Sequence, residues 1–179
     1  MKRFIKLFIG SIMILMVVFG TTKLTIAWLS AETVEIKNTF ATGLVDSEII
    51  EEFNGQIKKD VSIQNKGNID AYIRVALIPA WKNPDGNVSG TQVGTEYTKP
   101  QAPDGWFLGN DGFYYHVTSV HPGENTSILI NEFTMPTKDG LLFELQILAS
   151  AIQADPKEAV EESWPVRVDT EGKLIGGGP

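Results

Sequence analysis

The chain is patterned as a series of short runs that alternate between apolar and polar residues, separated by Gly, Asn, Pro and Asp. Residues 70–81, DAYIRVALIPAW, form the clearest run. Ala71, Ile73, Val75 and Leu77 share one face, and Tyr72, Arg74, Ala76 and Ile78 the other. Successive strand side chains point to opposite faces, so two largely apolar faces predict a central strand covered on both sides. Pro79 lacks a backbone donor and is expected to end its regular pairing. Residues 141–153 place Leu141, Phe143, Leu145, Ile147, Ala149 and Ala151 on one face, which predicts a core strand.

Weaker runs fill the rest. Residues 44–53 read as a short acidic strand closed by an Asn54-Gly55 turn. Residues 60–64 read as a strand with Val61 and Ile63 inward, followed by a turn at Asn65-Lys66-Gly67-Asn68. Residues 82–105, rich in Gly, Pro, Asn and Thr, predict a long surface excursion with a small hairpin. Asn110-Asp111-Gly112 lies between two aromatic runs and predicts a hairpin over 106–117. A turn is expected at His121-Pro122-Gly123-Glu124 and a strand over 126–135. The period then changes: Asp155 suits an N-cap and Pro156 a first helical turn, so 156–164 reads as one short helix. Residues 171–179 read as a flexible tail without a Leu-Pro-x-Thr-Gly sorting signal. About eight strands at close spacing predict an all-β domain over 44–170, and pattern alone does not separate a β-sandwich from a closed barrel.

The N-terminus follows another rule. Three positive charges in the first six residues precede LFIGSIMILMVVFGTT, an uncharged run from Leu7 to Thr22. This is the order of a secretory signal, and the run is shorter than the roughly 20 apolar residues of a usual spanning helix. Thr25 and Ala27 suit the −3 and −1 positions of a cut between Ala27 and Trp28, with a poorer site after Ala31. The expected products are a signal helix over 1–27 and a secreted chain that meets the membrane only as precursor. An uncleaved anchor is the alternative.

Composition narrows the chemistry. The 179 residues contain no cysteine, which removes disulfides, thiolate metal ligands and thiol nucleophiles. Four of the 15 basic residues and none of the 22 acidic ones lie before Trp28, so the chain from Trp28 onward carries a net −11. That balance disfavours nucleic acid and anionic membrane surfaces. A zinc peptidase of the common type needs His-Glu-x-x-His, whereas this chain has only His116 and His121, near Glu124. They read as a strand-face and a turn histidine before a metal pair. No Gly-x-Ser-x-Gly elbow occurs. Glu51-Glu52 and Glu161-Glu162 are neighbours in sequence and read as solvated faces. Trp81, Trp106, Phe107, Phe113, Tyr114 and Tyr115 read as core before they read as a sugar platform. No catalytic residue, metal or other cofactor is expected.

Residues 28–43 complete the reading. Val34, Ile36 and Phe40 share one face of an alternating strand, with Glu35, Lys37 and Thr39 opposite. The stretches AWLSAET (27–33) and NTFATG (38–43), then IQNKGNIDAYIRV (63–75), GFYYH (112–116), HPGENT (121–126) and ASAIQAD (149–155), together resemble the TasA/camelysin family, closest to its BsaA-type branch of biofilm-matrix proteins. Trp28 stands where relatives more often have Tyr or Phe. The resemblance implies a jelly-roll-like antiparallel β-sandwich, export through a signal peptidase of the SipW kind, and extracellular fibres or matrix built from copies of the chain or related subunits. It also implies growth by donor-strand exchange, with residues 28–43 as the candidate donor strand. By pattern alone, Val34, Ile36 and Phe40 pair equally well within their own domain. The competing functions are a camelysin-like secreted metallopeptidase and a surface adhesin or glycan-binding module.

Overall fold

The computed structural model describes residues 43–177. The expected signal helix lies outside the described residues. Within them the chain is all-β apart from one short helix. The strands are β1 (Ser47–Phe53), β2 (Ile57–Asn65), β3 (Ala71–Lys82), β4 (Trp106–Leu108), β5 (Tyr114–His116), β6 (Ile130–Thr134), β7 (Leu142–Gln153), β8 (Val166–Val168) and β9 (Leu174–Gly176), and the helix is α1 (Lys157–Ser163). They form antiparallel sheets in the orders β1-β2-β6, β4-β5-β3-β7 and β8-β9. Among the described residues no helix is long and apolar enough to cross a membrane.

The first two sheets face each other across one core. Val61 and Ile63 of β2 and Ile130 of β6 meet Ile73, Val75 and Leu77 of β3, Tyr114 of β5 and Leu145 and Ile147 of β7. These are the inward positions that alternation assigns to β2, β3 and β7. The apolar outer face of β3 is covered as well. Tyr72 and Tyr115 pack under Val160 and Trp164 of the helical segment and Val166 and Leu174 of the β8–β9 hairpin. Arg74 is clamped there, its guanidinium carbon 4.2 Å from the Phe113 ring and 4.8 Å from that of Trp164. Its buried Nε has no hydrogen-bond partner among the described residues, while Nη1 donates to Tyr115 Oη at 3.4 Å and lies 3.8 Å from Asp111 Oδ2, so the ring faces add to a polar anchorage. Tyr115 stacks on Phe107, meets Trp164 edge-on and donates to Asp111 Oδ2 at 2.6 Å.

Four sequence expectations are corrected. Pairing does not stop at Pro79: the β3–β7 register runs unbroken from Ala71↔Gln153 to Lys82↔Leu142. β5 pairs only with Arg74 and Val75, so β3 has one neighbour at Pro79, where a missing donor is tolerated. Residues 171–179 are not simply a flexible tail, because Leu174–Gly176 pairs with β8 and Leu174 is buried. The strand expected over 126–135 becomes regular only at Ile130, since Thr126 Oγ1 takes the Ile63 N–H at 3.0 Å in place of a backbone carbonyl. Pro156, not Asp155, occupies the cap position of α1, with no side-chain cap.

Trp164 joins the C-terminal segment to the sheet, so Trp164→Ala is expected to destabilise the protein by about 3–5 kcal/mol in urea unfolding. Amide exchange should quicken first in β8 and β9, with β2 and β6 protected. Unchanged stability would show that the covering segment is not coupled to the core.

A candidate assembly groove

The two flanks of the paired sheets are finished differently. On one flank, residues 117–129 cross from sheet to sheet. Val120 exchanges backbone hydrogen bonds with Ala71 of β3, while Thr126 N donates to Ile63 O and Leu129 N to Val61 O of β2. Asn65 stands at the joint, fully buried. Its Nδ2 donates to Ile69 O and Val120 O, both at 2.8 Å, and its Oδ1 accepts from Gly67 N at 2.9 Å. Gly67 is required by close approach: a Cβ there would lie 2.2 Å from Leu44 O.

On the other flank β1 and β7 are the outermost strands of their sheets and lie close to one another. Among the described residues neither has a second strand neighbour. Between them runs a groove of about 1070 Å³, lined by Ile49, Glu51 and Phe53 from β1, Lys58 from β2, Met135, and residues 142–147 of β7. Its apolar walls are incompletely covered: Ile49 is 36%, Phe53 52% and Leu142 58% exposed. Unpaired edges beside exposed apolar side chains are what strand addition uses, because the edges offer backbone bonds and the groove takes alternate side chains.

A bulge sets the chemistry of the groove floor. β1 and β2 pair Ile50↔Ser62 and then Glu52↔Lys59, so β2 carries one extra residue. Asp60, at φ 52°, takes the left-handed conformation that Asp tolerates better than most residues. Beyond it the alternation flips. Lys58, rather than Ile57 or Lys59, turns inward opposite Phe53 and is only 8% exposed. Its Nζ lies 2.6 and 2.8 Å from the Glu51 carboxylate oxygens and 4.8 Å from the Phe53 ring centre. Glu51 and Glu52 diverge as neighbours in a strand should, and both are exposed; Glu51 is in addition the partner of the nearly buried Lys58 cation.

The sequence-derived site residues distribute as follows. The cleavage pair Ala27 and Trp28 and the assembly strand Val34, Ile36 and Phe40 lie outside the described residues. His116 ends β5, buried, with Nδ1 donating to Thr118 O at 2.7 Å and Nε2 accepting from Ser127 N at 3.2 Å. Both ring nitrogens are thus committed to the fold. His121 is exposed in its turn, 2.8 Å from Asp70 Oδ1. Among the described residues no three His, Asp or Glu side chains gather as a metal site requires. Trp81, Trp106, Tyr114 and Tyr115 are buried, and Phe107 and Phe113 pack on the cluster beneath Trp164, so none forms an open platform. Ile49, Phe53 and Lys58 were not singled out from sequence, and Glu51 only as half of a solvated pair. The period-two spacing of Ile49, Glu51 and Phe53 is visible there, but the bulge that brings Lys58 among them is not.

Burial holds the His116 ring below the usual histidine range, opposed by the Thr118 carbonyl. The unfolded chain therefore binds a proton that the folded chain resists. Its contribution to stability is complete above about pH 6.5 and is lost as pH falls from there toward the depressed folded value. The Asp70 carboxylate raises His121, which gives the opposite slope, but that pair is solvent-exposed and contributes little. The denaturation midpoint is expected to fall between pH 7 and pH 5 in both the wild type and His121→Ala. An NMR titration placing His116 at or above 6.5 would contradict this. No family model, curated protein or solved structure matches the chain.

Proposed function

We propose that this chain is a secreted, non-catalytic structural subunit of extracellular fibres or biofilm matrix, built by β-strand addition between copies or related subunits. The observation that carries the reading is the β1–β7 flank: two outermost strands border a groove with exposed apolar side chains, while on the opposite flank, bordered by β4 and β6, residues 117–129 hydrogen-bond to both sheets. The two-sheet body is read as a jelly-roll-like sandwich that lacks one strand's worth of cover at that flank. Cleavage between Ala27 and Trp28, by a signal peptidase of the SipW kind, frees residues 28–43 as an alternating strand suited to fill it. Its apolar stripe of Val34, Ile36 and Phe40 meets the groove, and its backbone extends a sheet whose edge is otherwise solvated.

Purified secreted protein is expected to form filaments visible by electron microscopy. Deleting residues 28–43 should abolish them. So should Phe53→Glu, which puts a charge where an incoming apolar side chain is to be covered, yet is expected to cost the monomer only about 1 kcal/mol because Phe53 is half exposed. Filaments formed equally by both variants would overturn strand addition at this groove.

A further inference from the structure

We infer that the polar pair Lys58–Glu51 on the groove floor, together with Asn38, sets the register of the added strand along β1. This rests on strand addition at the groove and goes on to name its specificity determinant. The groove-facing positions of β1 run apolar, acidic, apolar: Ile49, Glu51, Phe53. At the same period-two spacing, residues 34–40 run Val34, Ile36, Asn38, Phe40, with one amide inside an apolar stripe. An amide buried without partners costs on the order of 1–3 kcal/mol. Along β1, Lys58 and Glu51, 2.6 Å apart, answer that need between Ile49 and Phe53, whereas the groove's other polar side chains, among them Gln56, Lys82, Glu144 and Gln146, belong to other elements. Opposite Glu51, the Asn38 amide nitrogen can donate to the carboxylate while its oxygen accepts from the Lys58 ammonium. Ile36 and Phe40 then cover Ile49 and Phe53. A slip by two residues would press the amide on an apolar side chain and seal the ion pair under another. A strand with an all-apolar stripe would have no such constraint.

The occupant is residues 34–40 of a second copy. The chain's own entry is committed elsewhere: Leu44 exchanges hydrogen bonds with Asn68, and Asp46 O accepts from Lys66 N, so residues 44–46 continue the line of β1 along the 66–68 turn.

The absence of cysteine allows a clean test. Two differently tagged full-length chains are co-expressed, one carrying Ile49→Cys or Phe53→Cys, the other a single cysteine at Val34, Ile36, Asn38 or Phe40. Disulfide-linked pairs bearing both tags are read on non-reducing gels. Ile49→Cys should link to one of Ile36→Cys and Phe40→Cys, and Phe53→Cys to the other, with no link to Asn38→Cys. Adding Asn38→Leu to the donor chain should spread the links over neighbouring registers. Dominant links through Val34→Cys or Asn38→Cys, or an unchanged pattern with Asn38→Leu, would overturn the register while leaving strand addition in place. No link from any position would remove the groove as the strand's site, and the inference with it.

Discussion

Asn65 is the joint on which the rest of the domain depends. It is fully buried at the end of β2, and its side chain satisfies three backbone groups: Gly67 N, Ile69 O and Val120 O. One residue thereby ties the first sheet to the connection entering β3 and to the segment crossing between the sheets. A buried amide with its polar atoms engaged is stable where a half-satisfied one is not. Removing it would leave Gly67 N and Ile69 O without these partners, while Val120 O would keep its bond from Ala71 N.

The joint lies on the flank that residues 117–129 cross. Residues 117–129 can bond to both sheets because Asn65 holds Val120 beside Ala71 and the chain then runs on to Thr126 and Leu129 along β2. The four-stranded sheet is shielded on its outer face by Trp164, Val166 and Leu174. At the β1–β7 flank, as at the outer edges of β4 and β6, the strands have no second strand neighbour among the described residues, and here the apolar side chains are incompletely covered. In a small all-β domain such an edge must be paired, charged or used. Here the groove floor holds a charge pair between apolar walls, which gives an incoming strand a position to recognise as well as a surface to cover.

Much of the body is readable in the chain. The inward stripe of β3, the Asn54-Gly55 turn, the 106–117 hairpin and the helix near Lys157 follow from period and turn chemistry, because each is set by neighbours a few residues away. Two of the misreadings share one cause. Pro79 is tolerated because β5 is short, and the tail is ordered because Val166 and Leu174 cover Tyr72 and Tyr115. Both depend on what another part of the chain does at that place.

The same division separates the candidate donor from its groove. Sequence by itself determined the alternation of Val34, Ile36 and Phe40, the lone amide at Asn38, the absence of cysteine and the acidic balance, since these are properties of residue identity and order. Only the tertiary structure decided that β1 and β7 border the same open flank. Only it showed that the extra residue at Asp60 turns Lys58 inward onto Glu51. A one-residue bulge reverses every facing before it, and sheet edges are assigned by pairings far apart in sequence, so neither could be read from local pattern.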